Sequence, residues 1–233
     1  RNAVRFFVAE CGEDPFSLEN CPETYPQDGC VYYVDGDVDS SGDGTSWGSA
    51  FAAVQEGVDA ARCAIVNAGT CPQWQVWVKA GTYHVYDQCR EDTILLRDGV
   101  ALLGGFAGDE SNDYERDWEL NETVLDGRPG PNSDRHVYHV VTGADDTVLD
   151  GFTVQQGRAD GEIENSMRGG GMWNTMGISV TLSNCIFRNN LGARGGGVAN
   201  YDSVTSDLYN CVFENNIASE LAGGMVVYLG STA

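Results

Sequence analysis

The sequence predicts an all-β solenoid, a right-handed parallel β-helix of about six or seven coils, with a disulfide-stapled amino-terminal region and one capping α-helix. The first observation behind this is a Leu-led segment that returns at intervals near one coil. It begins at Leu103, Leu125, Leu149, Leu182 and Leu208, in steps of 22, 24, 33 and 26 residues. The second is that other landmarks keep nearly the same beat. Gly169-Gly170-Gly171 recurs as Gly195-Gly196-Gly197 and as Ala222-Gly223-Gly224, Asn174 as Asn200, Asn184 as Asn210, and Asn189-Asn190 as Asn215-Asn216. The third is that Thr123-Val124-Leu125-Asp126-Gly127 and Thr147-Val148-Leu149-Asp150-Gly151 are identical. A unit this short cannot bury its own apolar face, so neighbours must stack to make a continuous core. Asn suits the corners of such a stack, because it tolerates left-handed backbone and its amide can bond to the copies above and below.

In chain order, residues 1–75 are expected to form an irregular Cys-rich region and residues 76–233 the coils, within one structural domain. Arg1 to Val8 lacks both an initiating Met and a full signal-peptide layout, and reads as a mature terminus after processing. Loops rich in Pro, Cys and acidic residues follow to about residue 46. From Ser49 to about Val66, the apolar residues Phe51, Val54, Val58 and Ala61 fall at near-helical spacing, so one amphipathic helix is expected over the open end of the first coil. From Val76 onward, strands of four to six residues alternate with Gly, Asn and Asp turns. The step from Leu149 to Leu182 exceeds the next by seven residues, which places an insertion near Gly157 to Arg168.

Gly169-Gly170-Gly171-Met172 and Gly195-Gly196-Gly197-Val198, followed by Phe187-Arg188-Asn189-Asn190 and Phe213-Glu214-Asn215-Asn216, resemble the GGA[ILV] and FxxN repeats of bacterial polymorphic outer-membrane proteins, within the pectin-lyase-like β-helix superfamily. The lead-in from Tyr32-Tyr33-Val34-Asp35 through Gly42-Asp43-Gly44-Thr45-Ser46-Trp47 to Ala80-Gly81-Thr82-Tyr83 is similar to the start of many secreted bacterial β-helix proteins. The resemblance spans roughly residues 31–233. It implies architecture more than chemistry, because that superfamily includes enzymes, adhesins and passive surface proteins.

Eight Cys in 233 residues indicate an oxidising, extracellular or cell-surface setting. Cys11, Cys21, Cys30, Cys63, Cys71 and Cys89 are the disulfide candidates, with Cys63–Cys71 the favoured pair among 15 possible connectivities. Cys185 and Cys211 lie one coil apart beside Phe187 and Phe213 and are expected to be stacked buried thiols. No apolar run is long enough to span a membrane as a helix. A formal charge of −22, with Lys79 the only lysine, argues against nucleic acid and anionic membranes as partners. It argues equally against an anionic polysaccharide unless divalent cations bridge the two.

Asp35, Asp37, Asp39 and Asp43 are the candidate metal ligands, clustered oxygens of the kind that hold Ca²⁺. They resemble the opening of an EF-hand-type loop, but Ser40 and Ser46 stand where that loop needs Gly and a bidentate Glu. Asp160, Glu162 and Glu164 in the insertion form the candidate binding loop, since loops projecting from a regular solenoid often carry specificity. No catalytic residue is assigned. Asp145-Asp146 is the only adjacent Asp pair and precedes a strand, and His136 and His139, three apart on an expected strand, would face opposite sides. The expected function is therefore a secreted or cell-surface structural and interaction protein. The alternatives are a polysaccharide-binding adhesin, or a lyase or hydrolase recognisable by product release from polysaccharides.

The carboxyl end carries no polar cap after Met225-Val226-Val227-Tyr228-Leu229, and a bare terminal coil exposes core side chains and unpaired backbone. Either the sequence is part of a longer protein, or a homo-oligomer or filament is expected to cover this face. Val4, Phe6 and Val8, alternating with Arg5 and Phe7, suit a strand added to another molecule's open sheet, against Met225, Val227 and Leu229, or equally a cap on the chain's own first coil.

Overall fold

Strands of two to seven residues, punctuated by Gly, Asn and Asp, stack in parallel because each coil must lend its apolar face to the next. The computed structural model describes residues 21, 29–67 and 71–233. They form a parallel β-solenoid of about five turns with one α-helix. The first sheet stacks β1 (Val31–Val34), β2 (Trp74–Lys79), β5 (Val100–Phe106), β8 (Thr147–Asp150), β12 (Ser179–Ser183) and β16 (Thr205–Tyr209). The second stacks β3 (Gly81–His84), β6 (Thr123–Asp126), β9 (Phe152–Gln155), β13 (Ile186–Arg188) and β17 (Val212–Glu214). The third stacks β4 (Ile94–Leu95), β7 (Val141–Thr142), β11 (Met172–Asn174), β15 (Val198–Asn200) and β19 (Met225–Val227). A short fourth sheet holds β10 (Arg158–Ala159), β14 (Leu191–Arg194) and β18 (Ile217–Leu221).

Register puts one column of apolar side chains inside each of the three long sheets. Val76, Leu102, Leu149, Leu182 and Leu208 stack in the first. Tyr83, Leu125, Val154, Phe187 and Phe213 stack in the second, and Ile94, Val141, Met172, Val198 and Met225 in the third. All belong to one continuous core. Burying one such side chain contributes roughly 1.5–3 kcal/mol, so the columns are the main source of cohesion.

The register corrects part of the expected repeat. Leu102, not Leu103, enters the ladder with Leu149; Leu103 faces the other way, into a satellite cluster with Trp77 and Phe106. Leu125 lies in the second sheet, so the two identical pentapeptides occupy different sheets. They specify the same local event, a buried strand ending in a turn, and that event occurs more than once per coil. Loops at 107–122 and 127–140 lengthen one rung, so the first sheet steps from Leu102 to Leu149 in 47 residues. The turns are accordingly fewer than the six or seven expected.

The helix α1 spans Val54–Asn67, against an expected span of 49–66, and lies on β1 and β2 with Val54, Val58, Ala61 and Ala64 in the core. Gly57 permits this close approach, since a Cβ there would stand 2.7 Å from Val76 and 2.8 Å from Val34. β1 is the first rung of the first sheet, so the division expected at residue 75/76 falls inside the solenoid. Two disulfides, Cys21–Cys63 and Cys30–Cys71, staple this end. The favoured Cys63–Cys71 pair does not form. Parallel pairing of β1 with β2 sets Cys30 beside the approach to β2, with Gln75 N–H donating to the Cys30 carbonyl, and so gives Cys71 its partner. Cys89 is also disulfide-bonded. Cys11 lies outside the described residues.

Candidate functional site

At each corner between the second and fourth sheets, the chain turns through one residue in left-handed conformation. These are Gln156, Asn189 and Asn215, with φ of 64°, 55° and 53°. Amide side chains suit this backbone at the latter two positions. The residue after each Asn points inward: Asn190 Nδ2 donates to the Val154 carbonyl at 2.9 Å, and Asn216 Nδ2 to the Phe187 carbonyl at 2.7 Å. The inner amides thus close the corner. The outer three line a groove on the molecular surface.

The groove has two adjoining parts. One, of about 330 Å³, is bordered by Gln156, Asn189 and Asn215, with Leu191 and Ile217 as apolar contacts. The other, of about 210 Å³, is lined by Tyr86, Arg90, Asp134, Arg135, Arg158 and Asp160. His136 and Arg158 border both. His136 Nδ1 donates to the Gln156 carbonyl at 2.7 Å, which leaves Nε2 as an acceptor when the ring is neutral. Arg90 packs over Tyr138 at 4.2 Å from its centroid and pairs with Asp160; Arg158 Nε donates to Asp160 Oδ2 at 2.8 Å. Burial pushes the Asp160 carboxyl up, but the Arg90 hydrogen bond and the charges of Arg90 and Arg158 outweigh it, and the group sits below its ordinary value. Arg135 is exposed on the face of Tyr86 at 5.2 Å, with no carboxylate partner among the described residues.

Of the expected binding loop, Asp160 therefore reaches this groove. Glu164 instead pairs with Arg168, and Glu162 is exposed. The four candidate Ca²⁺ ligands are not brought together. Asp35 and Asp37 share Lys79 at 2.9 and 3.1 Å, Asp43 accepts from Thr45 and Ser49, and Asp39 is exposed. Among the described residues no three His, Cys, Asp or Glu side chains gather as a metal site. His136 and His139 sit on a segment outside any strand, with bends at Tyr138 and Val140, so the strand expected there is absent. His139 Nδ1 donates to the Gly169 carbonyl, and burial lowers its pKa to about 4. Asp145 accepts from the backbone and hydroxyl of Ser179, both at 2.9 Å.

Cys185 is buried and Cys211 half-buried, both free thiols at in-register positions. Burial pushes the Cys185 thiol up, and its hydrogen bond to Cys211 pulls that thiol down. The basic residues of the groove escaped sequence reasoning because they come from three separated stretches. Their only advance signal was local: Arg90, Arg135 and Arg158 are three of just 13 basic residues in the chain. No protein-family model, curated protein or solved structure matches this chain.

Proposed function

We propose that this chain is an extracellular or cell-surface structural and interaction protein, related to the polymorphic outer-membrane β-helix proteins that its repeats resemble. In this reading its last coil is the surface on which a second copy docks. The disulfides support the compartment, since such bonds persist where the surroundings are oxidising. One observation carries the assembly. β16, β17, β18 and β19 each stand at the edge of their sheet, and only Thr205 finds a further rung, at Thr232.

The side chains on this coil agree. Of the twelve large apolar residues that are exposed among the described residues, seven lie between Tyr209 and Leu229, including Val212, Ile217, Leu221 and Val227. Met225 is half-buried against the core, so the third column ends close to solvent. Free strand edges beside apolar side chains favour addition of further strands. The opposite end is covered by α1, which disfavours simple coil-on-coil stacking head to tail. The segment holding Val4, Phe6 and Val8 lies outside the described residues.

Sedimentation velocity over a hundredfold concentration range tests the reading. Growth that stops at dimers indicates two last coils meeting about a twofold axis, and continued growth indicates filaments. A strict monomer throughout would overturn the assembly.

A further inference from the structure

We propose that the groove beside the insertion binds a saccharide unit carrying one sulfate ester. The inference needs no self-association, although Ile217 borders both surfaces, and it rests on the chemistry of the groove walls.

The carboxamides come first. Gln156, Asn189 and Asn215 recur once per rung along one side, so each backbone position stands about 4.8 Å from the next. No side-chain hydrogen bond engages any of them among the described residues, whereas the neighbouring Asn190 and Asn216 are fully engaged inward. A carboxamide donates and accepts at once, which is what adjacent sugar hydroxyls require. His136 Nε2 adds an acceptor, and Leu191 and Ile217 offer apolar contact for the C–H face of a ring. A cavity of about 330 Å³ lies at the small end of the roughly 300–1,000 Å³ range for small-molecule sites, so one ring fills it.

The adjoining part specifies the charge. Three Arg and two Asp line it, a formal balance of +1 in a chain of net −22. Asp160 engages Arg90 and the Nε of Arg158, which leaves the Arg135 guanidinium and the terminal nitrogens of Arg158 to bind a ligand. Such a balance suits a monoanion. A phosphate monoester carries about −1.5 to −2 at neutral pH and meets stronger repulsion from the surrounding acidic surface. Arg135 comes from the 127–140 loop and Arg158 from β10, so their donors approach from different elements. A tetrahedral sulfate has three terminal oxygens to meet donors out of one plane; a carboxylate has two, which a single guanidinium satisfies.

The test uses a sulfated tetrasaccharide, its desulfated counterpart, the corresponding uronate tetrasaccharide and inorganic sulfate. Each is titrated at low salt while the side-chain amides of Asn189 and Asn215 and the Arg135 Nε–H are followed by NMR. The expected result is saturable shifts at these groups with the sulfated tetrasaccharide, and binding at least tenfold weaker for the desulfated form and for inorganic sulfate. Arg135→Gln should weaken binding by about tenfold or more, and N189A with N215A by several-fold. Arg62→Gln, at an arginine elsewhere on the surface, should change nothing. Arg135, Asn189 and Asn215 are exposed, so their loss leaves the core intact, which the unchanged backbone spectrum will verify. Equal binding of sulfated and uronate forms would overturn the assignment of sulfate. Absence of shifts at the groove, or indifference to R135Q, would overturn the site itself.

Discussion

The two halves of this solenoid close their corners by different means. From β11 to β19 successive rungs of the three long sheets are 26 or 27 residues apart, and like amides meet in the corners. Asn174 Nδ2 donates to Asn200 Oδ1 at 2.8 Å, Asn210 Nδ2 to Asn184 Oδ1 at 2.8 Å, and Asn190 Nδ2 to Asn216 Oδ1 at 3.1 Å. From β1 to β8 the rungs differ in length, and among the described residues no such amide column runs through them. Single cross-links take its place: the Arg97–Asp59 pair at 2.8 Å, Arg116–Asp150 at 2.7 Å, Gln155 Nε2 donating to Asp126 Oδ2 at 2.8 Å, and the two disulfides. An amide ladder requires its own copy directly above or below. Where insertions change the step, each junction needs its own cross-link.

Breaking the cross-links should have the largest effect. The disulfides close stretches separated by 42 and 41 residues, and loops of that size are worth about 4 kcal/mol apiece in the chain-entropy account. Guanidinium unfolding with and without reductant should therefore show a loss of several kcal/mol. Unchanged stability would mean that α1 and β1 are held by packing alone.

Acid should act on the junction between the halves. His139, whose pKa is lowered to about 4, binds fewer protons folded than unfolded. Its contribution is complete above about pH 6.5 and is lost as pH falls from there towards 4. The shift corresponds to roughly 3 kcal/mol in full, and residual solvent access to the residue reduces this to on the order of 1–3 kcal/mol. Substituting His139 by Gln should flatten stability across that window. An identical pH profile in the variant would remove His139 from the account.

The amide ladder can be tested against itself. Replacing buried Asn190 by Leu strands the Val154 carbonyl and the Gly157 N–H, at a cost of about 1–3 kcal/mol. The same change at Asn210 should cost less than about 0.5 kcal/mol, because that residue is exposed on the last coil. Equal costs would contradict the distinction between inner and terminal rungs.

The smallest effect concerns a single methyl group. Ala222 has φ of 55° where the preceding rungs place Gly169 and Gly195, both at 64°. Left-handed backbone strains an L-residue by about 1 kcal/mol, partly offset by the greater freedom of Gly in the unfolded chain, so Ala222→Gly should gain a few tenths of a kcal/mol. Thermal melting resolves this, and a loss on substitution would show that the methyl group packs usefully.

Legibility in the sequence followed the same division. The 26-residue landmarks were readable because a ladder demands the same residue at the same step, and Asn174/Asn200 and Asn184/Asn210 pair as expected. Leu103 and Leu125 were misplaced because strands of three sheets share one apolar pattern, and periodicity alone does not say which sheet a strand joins. The disulfide pairing depended on β1 lying beside β2, a contact across more than 40 residues with no local signature. In the groove, the insertion pointed to Asp160 through its break in the step. Arg90, Arg135 and His136 carried no such mark, since they converge only when the rungs are wound.

Hydrogen exchange followed by mass spectrometry, at a low and a high protein concentration, tests most directly whether a second copy covers β16 to β19. The account predicts strong protection of residues 172–200 at both concentrations, with residues 205–227 exchanging fast when dilute and becoming protected when concentrated. Equal and slow exchange of both segments in dilute solution would contradict it, as would fast exchange of residues 205–227 at every concentration.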